Sequence, residues 1–106
     1  MQVVQLIGST NANSSLTSAF YDLGDNIDYA IQVDFSGSNL AGTLSLQAAI
    51  DPSYGWVDVT DSTQAVINSD DHVWNVTGAG YRYIRVVWTY ASGSGNIQAI
   101  LFLKKV

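Results

Sequence analysis

The sequence has no cysteine and no glutamate, one proline, one histidine and only four basic residues in 106. Without cysteine there is no disulfide, no thiolate nucleophile and no cysteine-based zinc site. Stability has to come from packing or from association. Without glutamate, and with little lysine or arginine, most of the strong charged helix formers are missing, and no segment carries a helical period. A net charge of −5 with so few bases makes a poor nucleic-acid ligand. The longest apolar run, AILFL, falls far short of the roughly 20 residues that span a bilayer. The opening MQVVQLIGSTNANSS lacks the basic n-region and long apolar run of a signal peptide. These absences predict no nucleic-acid partner, no membrane partner and synthesis in a cytoplasm.

What is present is apolar. Hydrophobic residues make up 47% and charged residues 12%, the latter about half the usual share. Such a chain is not disordered, and its length suits one domain with one core. The charges are segregated. All nine acids are aspartates, Asp22 to Asp71, and all precede Arg82, Arg85, Lys104 and Lys105. The simpler reading is internal neutralisation, with C-terminal strands beside acidic ones. The other is head-to-tail complementarity between subunits.

Period-two alternation dominates the pattern. In IDYAIQVDF, Ile27, Tyr29, Ile31, Val33 and Phe35 share one face. In GTLSLQAAI, Leu44, Leu46, Ala48 and Ile50 do the same. The linking SGSNLAG is turn chemistry, so residues 27–50 are expected to form an antiparallel hairpin. In RYIRVVWTY, Ile84, Val86 and Trp88 share a face with Tyr90; ASGSG follows; in NIQAILFLKK, Ile97, Ala99, Leu101 and Leu103 share a face. Residues 82–103 are expected to form a second hairpin. The recurrence is either a weak internal repeat or, more simply, two ordinary hairpins. VVQLIG, AFYDLG, WVDV, AVI and VWNV are shorter strand candidates. The sum is an all-β chain of about eight strands: an antiparallel two-sheet β-sandwich of the jelly-roll or Ig-like type. It is expected to be a single domain over residues 1–106, with 1–20 as an arm or edge strand.

Catalysis finds little to work with. His72 lies in the turn-like DDHVW, where a solvated loop histidine is the plain reading, and no nucleophile motif accompanies it. Dispersed aspartates could hold a glycosidase pair, but so small a domain builds little cleft. Asp51, Asp61, Asp70 and Asp71 are in expected loops, and oxygen ligands suit calcium. The EF-hand spacing is absent, and aspartate is common in loops because it makes turns. The expectation is a non-enzyme with no cofactor and no metal. A glycan site is a more specific candidate. DPSYGWVDV sets Tyr54 and Trp56 in or beside a loop, with Asp51 and Asp58 near, and aromatic faces with carboxylates suit sugars. Tyr54 is expected to be exposed, whereas Trp56 reads first as a core residue of the strand WVDV. Trp74 and Trp88, alternating with aliphatics, read as core.

The last strand carries an anomaly. One face serves the core, while the other bears Ile100 and Phe102, flanked by Gln98 and Lys104. The outer face of an antiparallel sheet should be polar, so an apolar one implies a cover. Either VVQLIG covers it within the chain or another subunit does. Subunit association is the preferred reading, with Tyr83, Arg85, Val87, Ile100 and Phe102 as contacts.

SGSNLAGTLSLQAAIDPSYGWVDV followed by WNVTGAGYRYIRVVWTYASGSG resembles small structural proteins of tailed bacteriophages. The shared pattern is SGxxxGTLxLQ, a short acidic turn, WVDV, a variable stretch, GAGYRYIRVVWT and a Gly/Ser turn, over about residues 22–103. This chain has DPSYG where similar chains often carry an Asn/Asp-Gly turn. The resemblance implies a virion component with a β-sandwich fold and no activity. Its most specific form is a capsid decoration or cement protein, often a trimer, made in the host cytoplasm and bound to the major capsid protein or another virion protein. A tail or fibre accessory domain is the nearby option, and a carbohydrate-binding or adhesin module is the alternative class.

Overall fold

The computed structural model describes residues 2–24, 28–67 and 70–103. Ile27 and Lys104, which entered the reading of strand faces, lie outside the described residues. The alternating runs do become strands, but not hairpins. β4 (Tyr29–Ala49) and β8 (Tyr83–Leu103) are each a single strand of 21 residues. They pair antiparallel with each other along their whole length, from Tyr29↔Leu103 to Ala49↔Tyr83. The two Gly/Ser stretches are therefore not turns. They lie opposite one another, with Gly37↔Gly95 and Ser38↔Ser94 in register, and the ladder slips between Ser38 and Ala41 and again between Ala41 and Gly42.

The slip has a physical purpose. An extra residue in a strand reverses which side chains face the core. Before it, odd residues of β4 are buried: Tyr29, Ile31, Val33 and Phe35. After it, Leu44 and Leu46 are. β8 switches in the same place, from Ile84, Val86 and Trp88 to Ile97, Ala99, Leu101 and Leu103. Asn39 (φ 56) and Gly93 (φ 88) supply the left-handed backbone at this corner, which asparagine and glycine adopt most readily.

The corner divides the hydrogen-bonded network into two layers. In the first, residues 29–38 and 94–103 are flanked by β7 (Asp71–Val76) against β4 and β1 (Gln2–Asn11) against β8. In the second, residues 41–49 are flanked by β6 (Gln64–Ile67) and β5 (Val57–Asp58). Residues 83–92 are flanked there by β2 (Leu16–Thr17) and β3 (Tyr21–Asp22). The layers close on one apolar core. Phe35 of the first packs against Trp88 of the second with ring centroids 4.9 Å apart. Trp74 of the first donates its indole N–H to the Ser62 carbonyl at 2.9 Å. The described residues form an antiparallel β-sandwich of eight strands.

Two expected positions change. Ile50, placed on the inner face, is 80% exposed, while Ala49 is buried. β4 ends at Ala49, so alternation no longer governs the next residue. His72, expected in a loop, stands in β7 opposite Val33 and so shares the inward side with it. Its Nε2 lies 3.2 Å from Asp70 Oδ2, without the alignment of a hydrogen bond.

Candidate functional site

Three surfaces hold the sequence candidates. The first is an open cleft of about 710 Å³ where the DPSYG loop and β5 meet the start of β8. Asp51 shapes the loop. Its carboxylate accepts the Ser53 N–H at 2.9 Å, the self-capping that makes aspartate a turn residue. Gly55 (φ 78) completes the turn. Ile50, Tyr54 and Val57 line the cleft and remain well exposed, Tyr54 at 71%. The Tyr81 ring forms a wall, its hydroxyl fixed 2.6 Å from that of Tyr29. Burial and this bond push the Tyr29 hydroxyl pKa well above the usual phenol range. Asp51 and Asp58 also line the cleft.

The second surface is the outer face of the second layer. Trp56 is not a core residue. It is half-buried on this face, its ring under the Arg85 guanidinium at 4.3 Å, and its indole N–H donates to the Pro52 carbonyl at 3.1 Å. The error has a simple source. β5 begins only at Val57, so Trp56 belongs to the loop and is free of the strand's alternation. Arg85 Nε donates to Gln47 Oε1 at 2.8 Å, and Gln47 Nε2 donates to Asp58 Oδ1 at 3.0 Å. Phe20, 52% exposed, sits edge-on to Tyr83 at 5.6 Å and tilted to Trp56 at 6.2 Å. Sequence reasoning missed Phe20 and Gln47. Only the register Gln47↔Arg85 and the fold of the 18–22 segment bring them here. Arg82, one residue from Tyr83, makes a bidentate pair with Asp22 at 2.8 and 2.9 Å. That pair holds the Asp22 carboxyl below the usual carboxylate range and supplies one case of internal neutralisation.

The third surface is the outer face of the first layer. Ile100 and Phe102 are half-buried here; Val3 (59% exposed) stands beside Phe102, and Val73 (64%) lies across Gln32 from Ile100. VVQLIG does not cover them. It pairs with β8 as β1, Val3↔Phe102 and Gln5↔Ile100, extending the same sheet. The neighbouring row is acidic. Asp34 and Asp71 are directly opposite across β4 and β7. Partial desolvation, the Asp34 carboxylate and Asp70 raise the Asp71 pKa, against a smaller opposing effect of His72.

The corner in β8 therefore splits the candidate contacts. Tyr83, Arg85 and Val87 lie on one outer face; Ile100 and Phe102 lie on the opposite one. Tyr54 and Asp51 share the cleft, while Trp56 joins Arg85 instead. Among the described residues no group of three His, Cys, Asp or Glu is placed to hold a metal ion.

No protein-family model matches the chain, and no curated protein is significantly similar to it. Solved structures do share its fold. The SPBc2 prophage-derived protein YomS superposes with a TM-score of 0.60 at 15% identity, over 94% of this chain and 90% of that one. The Yersinia pseudotuberculosis-derived mitogen does so with a TM-score of 0.53 at 11% identity, over 99% and 88%. At these identities the likeness is one of fold, and it joins the chain to an architecture found in a prophage-derived protein.

Proposed function

We propose that the chain is a non-enzymatic structural protein of a phage particle, in its most specific form a capsid decoration or cement protein that binds the capsid surface as a homo-oligomer. The observation that carries this reading is the uncovered apolar outer face of the first layer. Val3 and Val73 are exposed on this sheet, and the half-buried Ile100 and Phe102 share its outer face. Exposed apolar area of this kind marks a surface made for another protein. The fold shared with a prophage-derived protein supports the phage assignment. A test is to induce particle release from cells that encode the chain and to follow it by antibody through a density gradient. The expected result is co-banding with assembled particles. Recovery wholly in the soluble fractions would overturn the proposal.

The cleft favours a second reading, a carbohydrate-binding module. Tyr54 and Tyr81 offer ring faces, and Asp51 and Asp58 offer acceptors for sugar hydroxyls. Binding on a glycan array that Tyr54→Ala abolishes would select this reading; an empty array would dismiss it.

A further inference from the structure

Arg85 is unusual for a cation in so acidic a chain. Its guanidinium is immobilised by Trp56 and by the bond from Nε to Gln47, and it forms no ion pair with any described carboxylate. The ion pairs among the described residues are Arg82 with Asp22 and His72 with Asp70. Its two terminal nitrogens are thus left as a preorganised fork, the geometry that binds a carboxylate bidentately. Phe20, 52% exposed, packs edge-on to Tyr83 at 5.6 Å beside this platform, the kind of aromatic surface that interface anchors use.

The opposite outer face has the complementary defect. Asp34 and Asp71 oppose one another across β4 and β7, where their carboxyls interact directly, and the Gln32 amide donates to Asp34 at 3.0 Å. Exposed Val73 is two residues along the same strand. We infer that a second copy of this chain docks its Asp34–Asp71 row onto the Arg85–Trp56 platform, with Val73 against Phe20. The contact is heterologous, because the two patches lie on opposite faces of the sandwich. It therefore propagates from copy to copy until the rotation closes a ring or leaves an open stack. This deepens the structural-protein reading and rests on it.

The test is light scattering over a concentration series, with two variants, Arg85→Glu and the double variant Asp34→Lys/Asp71→Lys. The parent is expected to gain mass with concentration. Each variant alone is expected to lose association at least about tenfold. An equimolar mixture of the two is expected to regain the parent's mass, because each then offers the face the other can accept. A misfolded variant could not be rescued in this way. A parent that stays monomeric throughout, or a mixture no heavier than its parts, overturns the pairing. Neither result touches particle association, which the density gradient decides separately.

Discussion

Two buried serines do the work of missing strand residues. β6 pairs with β4 as far as Leu44, and β5 resumes at Gln47, so Leu46 falls in the gap. Ser62 Oγ fills it, accepting the Leu46 N–H at 3.2 Å and donating to the Leu46 carbonyl at 3.1 Å. On the other edge β2 stops at Val87 and β3 resumes at Ile84. There Ser18 Oγ accepts the Val86 N–H at 2.8 Å. Ser62 is 3% exposed and Ser18 8%. Ser62→Ala leaves a buried N–H unpaired and is expected to lower stability by about 1–3 kcal/mol in denaturant titration. Ser62→Thr, which keeps the hydroxyl, should lose less of the bond. Asp71 acts in the opposite sense. Its folded pKa is raised, so in the pH window between the unfolded and folded values the native state binds the proton more tightly than the unfolded state does. Stability contributed by this group is present at low pH and declines as pH rises through the folded pKa. Asp71→Asn is therefore expected to raise Tm near pH 7. The gain should vanish once the carboxyl is protonated in both states, which a series of melts against pH would show.

At the scale of the strand, each half of β4 and β8 was legible because period two reports the buried face directly. Trp74 and Trp88 lie in the core as their neighbours imply. The corner was not legible. Gly and Ser supply the same local signal for a hairpin turn and for a bulge, and only the partner decides between them. Here each Gly/Ser stretch is the partner of the other, a relation separated by more than half the chain. The core reading of Trp56 failed for a related reason: where β5 starts decides whether Trp56 faces in or out. Gly93 tests the corner. Its φ is 88°, and a Cβ there would meet the backbone of Asn39 and Leu40. Gly93→Ala thus combines an unfavourable dihedral with a collision that no side-chain rotation relieves. A loss on the order of 3 kcal/mol is expected, read as a fall in the denaturant midpoint. An unchanged midpoint would mean that the strands do not bend here as described.

At the scale of the molecule, the same two strands form the centre of both layers. In most sandwiches different strands build the two sheets; here neither layer has a central ladder without β4 and β8. Their pairing joins residues as distant as Tyr29 and Leu103, so loop closure is costly before any core forms. Folding in milliseconds to seconds is the range for such topology. More specifically, the layers should not separate. Opening one layer unpairs half of each long strand and exposes Phe35 and Trp88, which bridge the layers at 4.9 Å, so the other layer loses its packing surface at once. Native-state hydrogen exchange measures this. The slowest amides of residues 29–35 and 97–103 should exchange with the same opening free energy as those of 43–47 and 84–88, and that energy should equal global unfolding. The edge strands β1 and β7 are free to open earlier without altering this result. If one set exchanges through a distinctly smaller opening while the other stays protected, the layers are separate folding units, and the continuous β4–β8 ladder is not what holds them together.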